Sequence, residues 1–227
     1  MSLYAISDLH LSLGTNKSMD VFPGWGNYVE RLKNNWLKKI NKNDTIVVAG
    51  DISWASTLSE SLKDFEFLEL LPGKKVIMKG NHDYWWSTKR KVELFFKENE
   101  FLSLHILHNC AISYENYCLC GTRGWICFPE TNQDQKILTR EVGRLKISID
   151  SSRKMGLEPI VFLHYPPIYN SDTSGKIIDL LVKEGIEQCY YGHIHGNTSH
   201  SSFSEYKGIK FGLLSADSLN FDPLKIV

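Results

Sequence analysis

Short apolar runs rich in Val, Ile and Tyr alternate along this chain with longer stretches whose apolar residues recur every three or four positions. Runs 2–7, 45–50, 75–80, 160–163 and 189–192 have strand character, and a polar residue follows or closes each one. Helical spacing appears between them. Val29, Leu32, Trp36 and Ile40 define one apolar face, and Leu58, Leu62, Phe65 and Leu68 a second. Thr57 and Glu60 have the spacing of a capping box at the start of that second helix. Leu138, Val142, Leu145 and Ile149 predict a helix from about 132 to 155, with Gly156 as its stop. A further helix is expected over 173–184, ended by Gly185.

Two regions break the alternation. Runs 105–107, 111–114 and 117–121 follow one another with no helix between them, and 200–214 repeats that style. Both are expected as antiparallel additions. The predicted class is α/β, with two packed mixed sheets and helices outside, rather than one doubly wound sheet. Segments 21–26 and 125–135 are expected as surface loops near one end of the strands.

Composition narrows the class. The chain has 227 residues, 42% of them apolar and 23% charged, which suits one globular domain spanning 1–227 and is too apolar for disorder. Its 26 basic and 26 acidic residues cancel, so no overall basic character recommends nucleic acid or an anionic membrane as partner. Cys110, Cys118, Cys120, Cys127 and Cys189 are odd in number and contain no CxxC pair. That argues against a disulfide framework or zinc finger and for a reducing compartment. With strand character from the first residues and no run of 18 apolar residues, a cytoplasmic protein without a membrane span is expected. Oligomeric state stays open.

The chemistry gathers at the strand ends, where function collects in α/β sheets. They deliver Asp8 and His10, then Asp51, then Asn81, His82 and Asp83, then His164, then His193 and His195. Asp8/His10 and His193/His195 are spaced i, i+2, which in extended backbone directs both side chains to one side. Gly50, Gly80 and Gly192 precede the polar residues and permit close backbone approach. Two Asp, one Asn and four His suit divalent Mn, Fe, Zn or Co. Seven donors exceed one tetrahedral zinc and fit two ions sharing a carboxylate. Asp51, between the pairs in chain order, is the natural bridge.

Asp8-Leu9-His10, Gly50-Asp51, Gly80-Asn81-His82-Asp83, His164 and Gly192-His193-Ile194-His195 together resemble the five signature blocks of the calcineurin-like metallophosphoesterase superfamily. The resemblance covers residues 8–195 and implies a four-layer α/β/β/α sandwich with a binuclear centre. It implies one divalent ion on Asp8, His10, Asp51 and His195, and another on Asp51, Asn81, His164 and His193. His82 would protonate the leaving oxygen or hold the phosphate, with Asp83 a candidate to orient it. Two such ions acidify a shared water and clamp phosphate oxygens, so a bridging hydroxide is the expected nucleophile on a phosphate mono- or diester.

Departures from subfamilies refine the expectation. Trp54 stands where the serine/threonine protein phosphatases carry a second Asp and the purple acid phosphatases a Tyr ligand. Neither activity is expected. A repair-type nuclease needs further DNA-binding domains for which 227 residues leave no room. The expected partner is therefore a small phosphorylated substrate. The alternatives are a nucleotide phosphodiesterase or nuclease, and a non-catalytic interaction scaffold. Arg123, between two glycines of a turn, is a candidate phosphate clamp or a structural ion pair. Trp54, Tyr84, Trp85, Trp86 and Trp125 neighbour the blocks and either line a substrate pocket or pack the core. Lys136, Arg140 and Arg144 read as a solvated helix stripe. His105, His108 and His200 match no block and read as ordinary histidines.

Overall fold

The computed structural model describes residues 1–169, 172–196 and 203–227; His200 and the start of the 200–214 run lie outside them. The first half builds β1 (Leu3–Ile6), α1 (Tyr28–Lys39), β2 (Thr45–Val48), α2 (Leu62–Leu70), β3 (Lys74–Ile77), α3 (Lys89–Glu98) and β4 (Leu104–Ile106). Next come β5 (Ala111–Tyr114), β6 (Tyr117–Thr122), α4 (Asn132–Lys154), β7 (Glu158–Leu163), β8 (Ile168–Tyr169) and β9 (Asp172–Thr173). The chain closes with α5 (Gly175–Lys183), β10 (Gln188–Tyr191), β11 (Phe203–Tyr206), β12 (Ile209–Leu213) and β13 (Leu224–Lys225).

Among the described residues one sheet has the order β13-β1-β2-β3-β4 and the other β11-β12-β10-β7-β6-β5. Both are mixed: β1, β2, β3 and β4 run parallel with β13 antiparallel. In the second sheet β6, β7, β10 and β12 run parallel, with β5 and β11 antiparallel at the edges.

Strand alternation explains the layering. Leu3, Ala5, Val47 and Val76 face Leu119, Ile160, Phe162 and Tyr190 in a core between the sheets. The alternate residues Ile6, Ile46 and Val48 point outward against Tyr28, Leu32 and Trp36 of α1, Phe65 and Leu68 of α2, and Val92 and Phe96 of α3. On the opposite side Val161 and Leu163 pack on Leu138, Leu145 and Ile149 of α4 and Ile177 and Leu181 of α5. The order of layers is helix, sheet, sheet, helix, as expected.

Four local expectations need correction. Region 200–214 is antiparallel only between β11 and β12, and β12 pairs parallel with β10. Run 105–107 is no antiparallel addition: β4 pairs parallel with β3, because α3, a helix not expected over 89–98, supplies the crossover. Helix α2 starts at Leu62, not near Leu58. The Thr57 hydroxyl does accept the Glu60 N–H at 3.3 Å, but the Glu60 carboxylate takes the Ser56 N–H at 2.8 Å, so the box does not close on Thr57. Helix α5 starts at Gly175 because Thr173 is committed to pairing with Ile168. By contrast α4 runs over Asn132–Lys154, opened by a Thr131/Asp134 capping box and ended where Gly156 takes φ +69°.

Candidate metal centre

Each expected ligand follows a parallel strand: Asp8 and His10 after β1, Asp51 after β2, Asn81 after β3, His164 after β7, His193 and His195 after β10. To turn their side chains inward, four of the seven sit in the left-handed backbone region: Asp8 (φ 59°), His10 (46°), Asp51 (52°) and His193 (72°). Such conformations are uncommon for residues with a Cβ and collect at functional sites. Two glycines make the packing possible. A Cβ on Gly80 would collide with Asp51, and one on Gly192 with Ser7 and Asp8.

The result is two neighbouring groups. Asp8, His10 and His195 form one, and Asp51, His164 and His193 the other, with donor atoms inside each group within 4.8 Å of one another. The Nε2 atoms of His10 and His195 face each other at 3.2 Å, and Asp8 Oδ1 lies 3.6 Å from His195 Nε2. In the second group His164 Nε2 is 2.6 Å from Asn81 Oδ1 and 3.5 Å from Asp51 Oδ2. That same Asp51 oxygen is 3.8 Å from His10 Nε2, so it stands between the groups.

The electrostatics call for cations. Burial raises Asp8 to about 6, against the opposing pull of His195 and its hydrogen bonds. Burial, with Asp83 and Asp8 nearby, raises Asp51 to about 9. Burial also lowers His10 to about 3 and His193 to about 4, and holds His164 well below its ordinary value. Neutral imidazoles keep the lone pairs a metal needs. Asp8 Oδ1 is buried without a hydrogen-bond partner, while Oδ2 accepts from His193 N–H at 2.8 Å and Ser215 Oγ at 3.0 Å. One oxygen is braced and the other left bare. The donor set and the orphaned oxygen fit divalent metal.

The sequence profile for calcineurin-like phosphoesterases matches residues 1–197. The chain belongs to the calcineurin-like phosphoesterase family. Solved structures share the fold: protein AQ665 of unknown function from Aquifex aeolicus has 16% identity and a TM-score of 0.55, covering 99% of this chain and 95% of its own. TT1561 of Thermus thermophilus has 12% identity and a TM-score of 0.63, with coverage of 95% and 89%. No curated protein matches the sequence significantly. Membership of the phosphoesterase family supports a metal-dependent phosphohydrolase with divalent ions as cofactors.

The remaining expected residues of this phosphoesterase divide. His82 lies at the site: its N–H donates to Asp51 Oδ1 at 2.8 Å, and its half-buried ring sits 5.8 Å from that of His10. Asp83 does not orient it. The fully buried Asp83 carboxylate accepts the backbone N–H groups of Asp51 (2.9 Å), Ile52 (2.8 Å), Ser53 (3.3 Å) and Gly80 (2.7 Å), and the Trp85 indole N–H (3.0 Å). Arg123 forms no hydrogen bond to the ligand groups through its side chain, among the described residues. Its backbone carbonyl receives His164 N–H and Tyr165 N–H, and its guanidinium lies over the Trp125 ring at 4.7 Å.

The aromatics split the same way. Trp85 and Trp86 are buried in the core. Trp54 stacks on His10 with ring centroids 4.7 Å apart and touches His82 at the same separation. Tyr84 is exposed, its hydroxyl 3.4 Å from His82 Nδ1.

Asp217 carries no mark in the sequence pattern, yet it belongs to the centre. Its carboxylate accepts from His195 Nδ1 at 3.1 Å and Gly196 N–H at 2.8 Å. Burial by itself would depress His195, but the Asp217 hydrogen bond and the Asp8 charge outweigh it. With Nδ1–H held there, Nε2 is the nitrogen presented to the site, the arrangement in which a carboxylate fixes a ligating imidazole. A signal existed: β12 parallels β10, and Ser215 and Asp217 follow it as ligand residues follow the other strands.

Proposed function

We propose that this chain hydrolyses a small phosphate ester using two divalent ions bridged by Asp51. The observation that carries this reading is the position of Asp51 Oδ2, 3.8 Å from His10 Nε2 and 3.5 Å from His164 Nε2. Asp8, His10 and His195 would hold one ion, and Asn81, His164 and His193 the other. When bound, such ions supply an acidified water and the charge that stabilises a phosphoryl transition state. The chain's own residues do the rest. Asp83 fixes the 51–53 turn, Asp217 fixes His195, and Trp54 holds His10 against rotation.

His82 would hold a phosphate oxygen or give its ring proton to the departing alkoxide. Burial lowers its pKa; a phosphate dianion beside it favours the protonated ring and reverses that tendency. A cavity of about 440 Å³ beside His193 and His195, walled by Ile126, Phe128, Tyr165 and Pro166, offers space for the alcohol part of the ester.

A panel of nitrophenyl phosphate mono- and diesters, run with Mn, Fe, Zn, Co and Ni on chelator-stripped protein, tests the reading. Metal-dependent turnover that disappears in Asp51→Asn and His164→Ala supports it. Absence of turnover on every ester with every metal contradicts it and favours an interaction scaffold. Strong diester preference would instead favour a phosphodiesterase.

A further inference from the structure

Beside the metal centre, the carboxyl ends of β3 and of the outer strands β4 and β6 line a second cavity of about 290 Å³. Lys79, Arg123 and Arg144 reach it, with His108 and Asn109. The one carboxylate on its wall is Glu141, buried and engaged: it accepts from the Thr122 hydroxyl and from Arg144 Nη1 at 2.5 Å. Lys79 and Arg123 have no ion-pair partner among the described residues. The Lys79 ammonium donates only to the Trp86 carbonyl, at 3.3 Å. Three cations thus converge on one engaged carboxylate in a chain whose formal net charge is zero. Glu141 and Asp83 attract Lys79 without pairing with it directly, so the wall keeps an excess of positive charge that a bound anion would offset.

Two of the residues lining the cavity lie next to the metal centre along the chain or through the backbone. Lys79 is two residues before Asn81, and the Arg123 carbonyl anchors the His164 and Tyr165 N–H groups. β4 neighbours β3 and β6 neighbours β7, so the cavity sits beside the strands that carry Asn81 and His164.

We propose that this cavity binds a second anionic group, a phosphate, carried by the substrate itself. The inference rests on the phosphohydrolase reading for the first phosphate and assigns the substrate class: a small molecule with two phosphates separated by a short spacer. Arg123 offers a planar pair of donors and Lys79 a point charge, the combination suited to a phosphate.

The test uses the metal-loaded chain and calorimetric titration with alkane bisphosphonates of increasing length, with methylphosphonate as the single-anion control. Some spacer in the series is expected to bind about tenfold or more tightly than methylphosphonate, the scale of one or two charge-assisted contacts. That advantage is expected to vanish in Lys79→Met and return in Lys79→Arg. Arg144→Lys, which keeps a charge beside the buried Glu141 but removes the planar donor pair, gives a second variant and is expected to reduce the advantage. Thermal unfolding checks that each variant is folded. Equal affinities across the series, or an advantage that persists in Lys79→Met, overturn the proposal. Inorganic phosphate titrated into the metal-free chain separates the two readings. Lys79-dependent binding there, with no turnover of any ester, keeps the anion cavity and rejects the phosphohydrolase; phosphate binding indifferent to Lys79 rejects the cavity.

Discussion

Asp83 Oδ2 accepts the backbone N–H of Asp51 at 2.9 Å, so the carboxylate proposed to bridge two ions is aimed by another carboxylate that belongs to neither group. With five N–H donors on two oxygens, Asp83 fixes the left-handed turn at Asp51 and the approach of Gly80 together. Asp83→Asn replaces one acceptor by a donor facing N–H groups. It is expected to reduce metal affinity or turnover about 10–100-fold, the range for residues that orient ligands. Activity that falls with metal affinity unchanged and His82 titration altered would return Asp83 to the role of His82's partner.

Asp217 carries a parallel expectation on the other group. Asp217→Ala removes the acceptor for His195 Nδ1 and frees the ring. Metal titration is expected to show the Asp8/His10/His195 group weakened about 10–100-fold while the Asp51/His164/His193 group is less affected. Equal weakening of both, or of neither, would remove Asp217 from the centre.

Metal removal is expected to lower thermal stability, since ions that bind only the folded chain stabilise it by mass action. Stripped protein is expected to regain its melting temperature on addition of Mn or Zn, and Asp8→Ala to lose most of that gain. A melting temperature indifferent to metal would contradict the fit of buried Asp8 and Asp51 to cations.

Lys75 offers a pH test far from the metal centre. Its buried ammonium donates to the Leu71 carbonyl and to Ser103 Oγ at 2.8 Å, and burial lowers it to about 8 despite the attraction of Glu69. The unfolded value is near 10.5. Between pH 8 and 10.5 the unfolded chain binds the extra proton, so stability rises with pH across that window and is lost again as pH falls back from 10.5 to 8. Relative to Lys75→Met, wild type is expected to gain on the order of 3 kcal/mol over the window. A flat difference in denaturant titrations at the two ends of the window would show Lys75 titrating normally.

Much of this was legible in the sequence because the strands obey a simple rule: an apolar run fully buried on both faces, then a polar residue at its carboxyl end. Asp8, Asp51, Asn81, His164 and His193 all follow that rule, and the structure brings them together. The second group of three includes residues 142 positions apart, Asp51 and His193, which only sheet topology can join. What was not legible depends on side-chain direction. Asp83 follows His82 directly, yet its carboxylate turns to the backbone of the neighbouring strand's loop. Arg144 fits a solvated helix stripe but pairs with Glu141 beside a cavity to which His108, with no block to mark it, also contributes. A signal for the crossover before β4 was present and unused: Val92, Phe95 and Phe96 stand at i, i+3 and i+4 in α3 and pack on the same core.

The proposed function would have Asp51 shared by two metal ions. Elemental analysis of chain equilibrated with excess Mn or Zn and then desalted measures this directly. Two ions per chain are expected in wild type, with both affinities reduced together in Asp51→Asn. One ion per chain, or two whose binding is indifferent to Asp51→Asn, would contradict the account.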